Sequence, residues 1–385
     1  MNTNTQTMDS SGSASMLLLG LGAVGLAIGL FASGGLLSDG HAAFNTGSNV
    51  AWGLPVVAYV YMALASTGLA IVASLAMVFG TKELYPIAKR CLWLAIALLI
   101  GAFITLALEL GHPFRLLWAV PAGMQTSSPM FWMGVWYAVA LLFMAIKFAM
   151  VMKRDWSSPG SKAIGGITFA AEIAAAMTLG FVFGAMSMRP FWYDPMMPVF
   201  FVLSGLLAGV AFALFFTNLA YGFSQDNMPA AVRRAMTGIL PAIFLTAIGV
   251  TALFVIGQMV TASYSNVNET HLVASHVYGS APFQLALWVG LVLPFALMLG
   301  GLRKQVGMQV LAAVLVLVGL FTVRYGYIIG GQLVPMFKGT WYPDLIAYTP
   351  SATEWGVFII GASASLLIYA IGDKLFKLPD SPDEQ

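Results

Sequence analysis

Glu109, His112 and Arg115 fall within seven residues, in the run Glu109-Leu110-Gly111-His112-Pro113-Phe114-Arg115-Leu116-Leu117-Trp118. A carboxylate, an imidazole and a guanidinium this close can hydrogen-bond a quinone carbonyl and pass protons to water. Phe114 and Trp118 would wall a ring. The same run also reads as an interfacial helix stop, because Gly111 and Pro113 end a helix there. Two further ionisable groups stand in apolar stretches, where a charge costs several kcal/mol and is functional by default. Glu172 sits among Ala170, Ala171, Ala174, Ala175 and Ala176, a small-residue surface suited to close helix packing. It reads as a proton relay or as a neutral carboxyl bonded to a neighbouring helix. Arg324 cannot lose its charge and needs a carboxylate or a wet cavity. Glu109, Asp194 and Glu354 lie at comparable depth, and a pair with Glu109 is the expectation. Lys147 lies six residues before Lys153 and is expected to snorkel to water.

These groups must be positioned by membrane helices. Of 385 residues 59% are apolar and only 8% charged, against roughly a quarter charged in soluble domains. Mean hydropathy is +0.87. The net charge of +2 gives no nucleic-acid footprint. Ten apolar runs reach the roughly 20 residues a span requires: 16–37, 52–80, 91–110, 129–152, 163–188, 196–222, 235–261, 282–301, 308–331 and 354–373. Residues 1–15 read as a polar tail, 16–373 as the membrane domain and 374–385 as a second tail. The first run is too long for a signal-peptide core and is read as a retained helix, with a cleaved signal as the alternative.

Twelve of the 17 Lys and Arg residues fall on one side of this arrangement and three on the other. Basic loops stay inside, so both termini are placed in the cytoplasm of a cell with the chain in its inner membrane. His41, His112, His271 and His276 then all lie at or beyond the outer face. The longer, Trp-, Tyr-, Pro- and Gly-rich loops lie there too, which makes the outer face the working one. Glu172 falls near mid-bilayer, nine residues or roughly 14 Å into the fifth span. Tyr59, Ser66 and Ser74 share a face of the second span and read as a water-lined path or as ordinary bonds between helices. No histidine lies deep in a span, which argues against haem, and the single Cys91 cannot hold an iron–sulfur cluster.

The stretch Asn49-Val50-Ala51-Trp52-Gly53-Leu54-Pro55, followed by Tyr59, resembles the start of the core of the polysulfide-reductase/NrfD-like membrane subunits. Glu109–Arg115 is similar to that family's Asp-Leu-Gly-Arg-Pro-type motif, with His112 where Arg is commoner. Arg189-Pro190-Phe191-Trp192, Pro198, Ser204-Gly205, Arg324-Tyr325, Gly330-Gly331-Gln332, Pro350-Ser351 and Glu354-Trp355 follow in order, so the resemblance runs from about residue 49 to 356. Some relatives place His where Glu172 stands.

The resemblance implies an all-α membrane protein of two four-helix bundles, about 52–188 and 196–331, flanked by the first and last helices. It implies a quinone-reactive subunit of a respiratory complex that docks an extracytoplasmic [4Fe-4S] subunit, with a molybdopterin catalytic subunit beyond. Glu109 and His112 are the expected groups for quinol proton exchange. Asn49, Trp52, Tyr59, His112 and Arg115 are expected around the quinone, menaquinone or ubiquinone, and Glu172 and Arg324 on a proton path. Two other classes compete: a secondary transporter using Glu172, and a purely structural anchor. A transporter works alone; the quinone subunit copurifies with metal-bearing chains.

Overall fold

A computed structural model describes residues 3–111, 118, 122–335 and 345–378. Runs of apolar residues satisfy their backbone groups internally in lipid only as helices, and among the described residues every regular element is helical. The principal helices are α1 (Thr3–Ala32), α2 (Leu54–Met77), α3 (Tyr85–Glu109), α4 (Pro129–Met152), α5 (Pro159–Gly184), α6 (Met197–Ala220), α7 (Ile239–Ser263), α8 (Asn268–Tyr278), α9 (Ala281–Leu297), α10 (Val306–Gly330) and α11 (Ala352–Leu375). Nine described helices are long and apolar enough to cross a membrane, or ten when α8 and α9, bent at a short break, are counted together as one broken span.

The eighth span differs from expectation, whereas the first stands where expected, with the helix of α1 continuing back to Thr3 ahead of it. The eighth span begins earlier than residue 282 and bends by 73° between α8 and α9. The cause is local: Gly279 and Ser280 interrupt the helix, Ser280 caps the new N-terminus by accepting from the Phe283 N–H, and Pro282 occupies its first turn. A π-helical turn over Trp288–Val292 then distorts α9.

Helices α2–α5 form one bundle, and α6, α7, α9 and α10 the second. α1 and α11 pack on each other and, through α11, on α3. α2 is the hub: it packs on α3, α5 and α6, and nearly all of it is buried. Glycine permits the contact between bundles. A Cβ on Gly68 of α2 would collide with the Gly205 carbonyl of α6, and one on Gly209 with the Gly68 backbone. At the end of the molecule where α1 begins, Arg90 Nη1 meets Asp373 Oδ1 at 3.0 Å, and Ser15 donates to Asp373 Oδ2 at 2.6 Å. That buried clasp joins α3, α11 and α1.

Lys147 does not snorkel. It is 2% exposed, and its ammonium donates to the Trp156 carbonyl at 3.1 Å and to the Ser161 carbonyl at 3.0 Å. The loop between α4 and α5 folds over the amine and supplies the oxygens that water would have given.

Candidate functional site

The sequence motifs separated by up to three hundred residues converge at one end of the molecule. Gln332, just past α10, is bonded in both directions to the backbone of Trp52: its Oε1 accepts from the Trp52 N–H at 2.9 Å and its Nε2 donates to the Trp52 carbonyl at 2.8 Å. Arg189 donates to the carbonyls of Asn49 (3.1 Å) and Val334 (2.9 Å). Its half-burial pulls the guanidinium pKa below the usual arginine value. The Trp52 indole stacks on Trp192 with ring centres 5.4 Å apart, and Phe183 meets it edge-on. Glu354 closes the cluster. It accepts from the Leu54 N–H at 3.3 Å, the Asn45 N–H at 3.1 Å and the Ser351 N–H at 2.8 Å, and also from the Tyr348 hydroxyl. Burial and that carboxylate push the Tyr348 pKa up. A cavity of about 270 Å³ opens beside this cluster, bounded by Arg189, Phe191, Glu269, Val273 and Val334.

A second polar line runs from that end into the bilayer interior. At the end of α3, Glu109 is half-buried. His41 donates through Nε2 to the Glu109 carbonyl, and the imidazole is close enough to act on the Glu109 carboxylate. Tyr59 of α2 lies within electrostatic reach of that carboxylate. Among the described residues, neither the Tyr59 hydroxyl nor the Glu109 carboxylate has a side-chain hydrogen bond. Two turns deeper on α2, Thr67 is 2.6 Å from Glu172 Oε2. Glu172 is fully enclosed, and its Oε1 has no hydrogen-bond partner among the described residues.

Tyr137 of α4 stands between these groups: its hydroxyl lies beside Thr67 and within electrostatic reach of Glu172, Arg324 and Tyr59. It too is buried, and no hydrogen bond of good geometry ties it to a described residue. Arg324 of α10 is 3% exposed. It donates from Nη2 to the Ser204 hydroxyl at 2.7 Å and lies 4.9 Å over the Phe201 ring, while Nε and Nη1 find no partner.

The expected pair of Arg324 with Glu109 is therefore not formed, and Asp194 and Glu354 do not replace it. Asp194 is held by Gln258 (3.0 Å) and the Met196 N–H (2.8 Å), and Glu354 by the cap of α11. A hydroxyl and an aromatic face take the guanidinium instead. Ser66 bonds the Ala95 carbonyl at 2.8 Å, as an ordinary contact between helices.

Of the expected site residues, Glu109 lies within electrostatic reach of Tyr59, and Glu172 and Arg324 within electrostatic reach of Tyr137. The structure sets Asn49 and Trp52 in the motif cluster, where Asn49 contributes its carbonyl and Trp52 its backbone and packed ring. His112 and Arg115 lie outside the described residues. Sequence reasoning does not assign His41, Thr67, Ser204 or Tyr137 to this line. Thr67 and Ser204 each precede a glycine of the helix crossing, a signal readable once the crossing is known. Nothing local marks Tyr137.

As for ligands, no three His, Cys, Asp or Glu side chains gather into a metal site among the described residues. Tyr59 and Glu109 fit a quinone head group: a half-buried hydroxyl and carboxyl, neither with a side-chain hydrogen bond among the described residues, beside an apolar helix surface. The family model described as "Polysulphide reductase, NrfD" matches residues 43–336.

The chain belongs to the NrfD family.

The match begins after α1 and ends beyond α10, so both bundles are NrfD core and α1 and α11 flank it. Two relatives are similar across nearly the whole chain. A selenate reductase subunit of Mesobacillus selenatarsenatis is 23% identical, covering 87% of this chain and 88% of its own. The Hdr-like menaquinol oxidoreductase integral membrane subunit of Archaeoglobus fulgidus is 23% identical, covering 86% of each. The matched stretch contains Trp52, Arg189 and Gln332 of the backbone-locking cluster and Glu109 at the mouth of the polar line, and Glu354 lies beyond it.

Proposed function

We propose that this NrfD-family protein is the quinone-reactive membrane subunit of a respiratory oxidoreductase complex. It exchanges electrons with an extracytoplasmic iron–sulfur partner, beyond which a molybdopterin subunit turns over the terminal substrate. The observation that carries the reading is Tyr59 and Glu109 within electrostatic reach of each other: two groups whose side chains make no hydrogen bond among the described residues, at the outer mouth of a buried polar line. The names of the relatives, a reductase subunit and a menaquinol oxidoreductase subunit, agree with it. The basic loops place both termini in the cytoplasm of a bacterial inner membrane, with this mouth on the outer face.

A quinone or quinol supplies chemistry in which electrons and protons move together. The chain's own part is to orient and to handle protons. Tyr59 donates a hydrogen bond that fixes a carbonyl oxygen. Glu109 takes or gives the proton, and His41, anchored on the Glu109 carbonyl, holds the end of α3 in place and helps tune the carboxyl. His112 and Arg115 are further proposed contacts of the quinone. Thr67 and Glu172 carry the line inward, and Arg324 keeps the field along it positive.

Mild-detergent purification of the tagged chain, with metal analysis and quinone extraction, tests the assignment. Iron on copurifying subunits together with bound quinone is the expected result; a pure single chain with neither rejects it. In the intact complex Glu109→Gln, and His112→Ala, should assemble normally and lower quinol turnover about a hundredfold, the usual contribution of a positioned proton-transfer group. Unchanged turnover in Glu109→Gln would remove that carboxyl from the reaction.

A further inference from the structure

Among the buried side-chain polar atoms that lack a hydrogen-bond partner in the described residues are four on three different helices: Glu172 Oε1, the Tyr137 hydroxyl, and Arg324 Nε and Nη1. Buried polar groups are almost always satisfied, and unsatisfied ones mark strain, a bound species or a group that must change partners. These four are not scattered. The glycine contact between α2 and α6 sets Gly68 against Gly205, and the residues just before those glycines are Thr67, bonded to Glu172, and Ser204, bonded to Arg324. The crossing of the two bundles thus brings the carboxyl and the guanidinium towards one place, and the Tyr137 hydroxyl of α4 lies within reach of both.

The geometry points to Tyr137 as a positioning residue that, with Thr67, forms a hydroxyl relay joining Glu172 to the Tyr59–Glu109 mouth. The inference rests on the proposed quinone reading for its purpose but not for its test.

The relay conserves protons. Thr67 donates its hydrogen to Glu172 Oε2 and receives one from the Tyr137 hydroxyl, which is refilled from the Tyr59 side. Each hydroxyl ends with the one hydrogen it began with, and the net result is one proton moved from the mouth to Glu172. The opposite sequence empties Glu172. Thr67 has a resting alternative, because its hydroxyl also lies 3.3 Å from the Ala63 carbonyl of its own helix; turning between Ala63 and Glu172 opens and closes the inner link. Arg324 cannot itself carry the proton at this depth, since a guanidinium does not give one up. It bonds Ser204 and lies over Phe201 within range of the Tyr137 hydroxyl, and there disfavours any stray excess proton on the relay. The titratable groups facing Tyr137 are therefore Glu172, Arg324 and Tyr59.

The test is infrared spectroscopy of the full-length chain in lipid nanodiscs, following the carboxyl band that disappears in Glu172→Gln after a rapid exchange of external water for heavy water. In Tyr137→Phe, which keeps the ring and its packing, exchange at Glu172 should slow about a hundredfold. In Thr67→Val the band should also move to higher frequency, because its hydrogen bond is gone. Tyr278→Phe, off the line, should leave exchange unchanged. A folded Tyr137→Phe chain exchanging at the wild-type rate would overturn the relay, as would the absence of any Glu172-dependent band at every pH tried. Quinol oxidation by the complex is a separate readout. Slow exchange in Tyr137→Phe with no quinone in the purified complex would keep the relay and reject the quinone reading; the reverse pair of results would do the opposite.

Discussion

The third span of the first bundle, Pro129–Met152, is continuous, whereas its counterpart in the second bundle breaks at Gly279–Ser280 and then winds through a π turn. Both bundles open alike, with Pro55 and Pro198 in the first turns of α2 and α6. Their chemistry is unequal. Tyr59, Thr67, Glu109, Tyr137 and Glu172 all belong to the first bundle, and the second sends Ser204 and Arg324 to meet them. The second bundle also buries Thr217, Asn218, Thr251 and Gln309, and Gln309 is engaged at the far end of α10. It accepts from Asn218 at 3.2 Å and donates to the Arg303 carbonyl at 2.7 Å and to the Met236 carbonyl. The shared plan is a packing solution, and the groups proposed to handle protons occupy one copy of it. The unmatched break in α9 also tells against a transporter, whose substrate site lies between matched broken helices.

The most severe way to break this arrangement is to part the bundles. Gly68→Val puts a branched side chain into the Gly205 carbonyl and the Gly209 backbone, neither of which can yield. The expected result is loss of assembled protein in detergent, judged by size-exclusion chromatography. Gly257→Val, where a Cβ on α7 meets nothing within 4 Å, should assemble normally. An assembled Gly68→Val protein would mean that the two bundles do not depend on this contact.

A milder substitution asks whether the second bundle is scaffold. Gln309→Leu leaves the Asn218 amide and two backbone carbonyls short of partners. Each such loss costs about 1–3 kcal/mol, so the midpoint of thermal unfolding should fall while quinol turnover per assembled complex stays at the wild-type value. A fall in turnover per complex would place proton chemistry in the second bundle as well.

The sequence displayed the helices because hydropathy and basic-loop asymmetry are local properties, written span by span. It displayed Glu172 and Arg324 because isolated charges in apolar runs are conspicuous. What each charge touches depends on how helices cross. Arg324 goes to Ser204 rather than Glu109 because the Gly68–Gly205 contact brings α6 close to α2, and no spacing along the chain encodes that distance. Tyr137 is one aromatic residue among many in α4, and its isolation as an unpartnered hydroxyl exists only in three dimensions. The break before α9 is legible in part: Gly279-Ser280 followed by Pro282 is a helix stop and restart, but the apolar run from 282 onward masks the shorter, more polar α8 ahead of it.

The smallest expected effect compares two helix caps, one in each bundle. Ser158 caps α5, the helix that carries Glu172, by accepting from the Ser161 N–H at 3.1 Å, and Ser280 caps α9 by accepting from the Phe283 N–H. Only the first is backed by a carboxylate. Asp155 accepts from the Ser158 hydroxyl at 2.7 Å and from its N–H at 3.1 Å. These bonds hold the Asp155 pKa below the ordinary aspartate value. A depressed carboxylate pKa adds stability above the unfolded-state pKa of about 3.9, and that stability is lost as pH falls through the lower folded-state value. Ser280→Ala should therefore cost about 1 kcal/mol at every pH. Asp155→Asn should lower the unfolding midpoint slightly near neutral pH, with the difference from wild type closing as the solution is acidified through the carboxylate range. A difference that stayed constant down the acid limb would show that Asp155 supports the cap by shape alone, and that the two caps differ in nothing electrostatic.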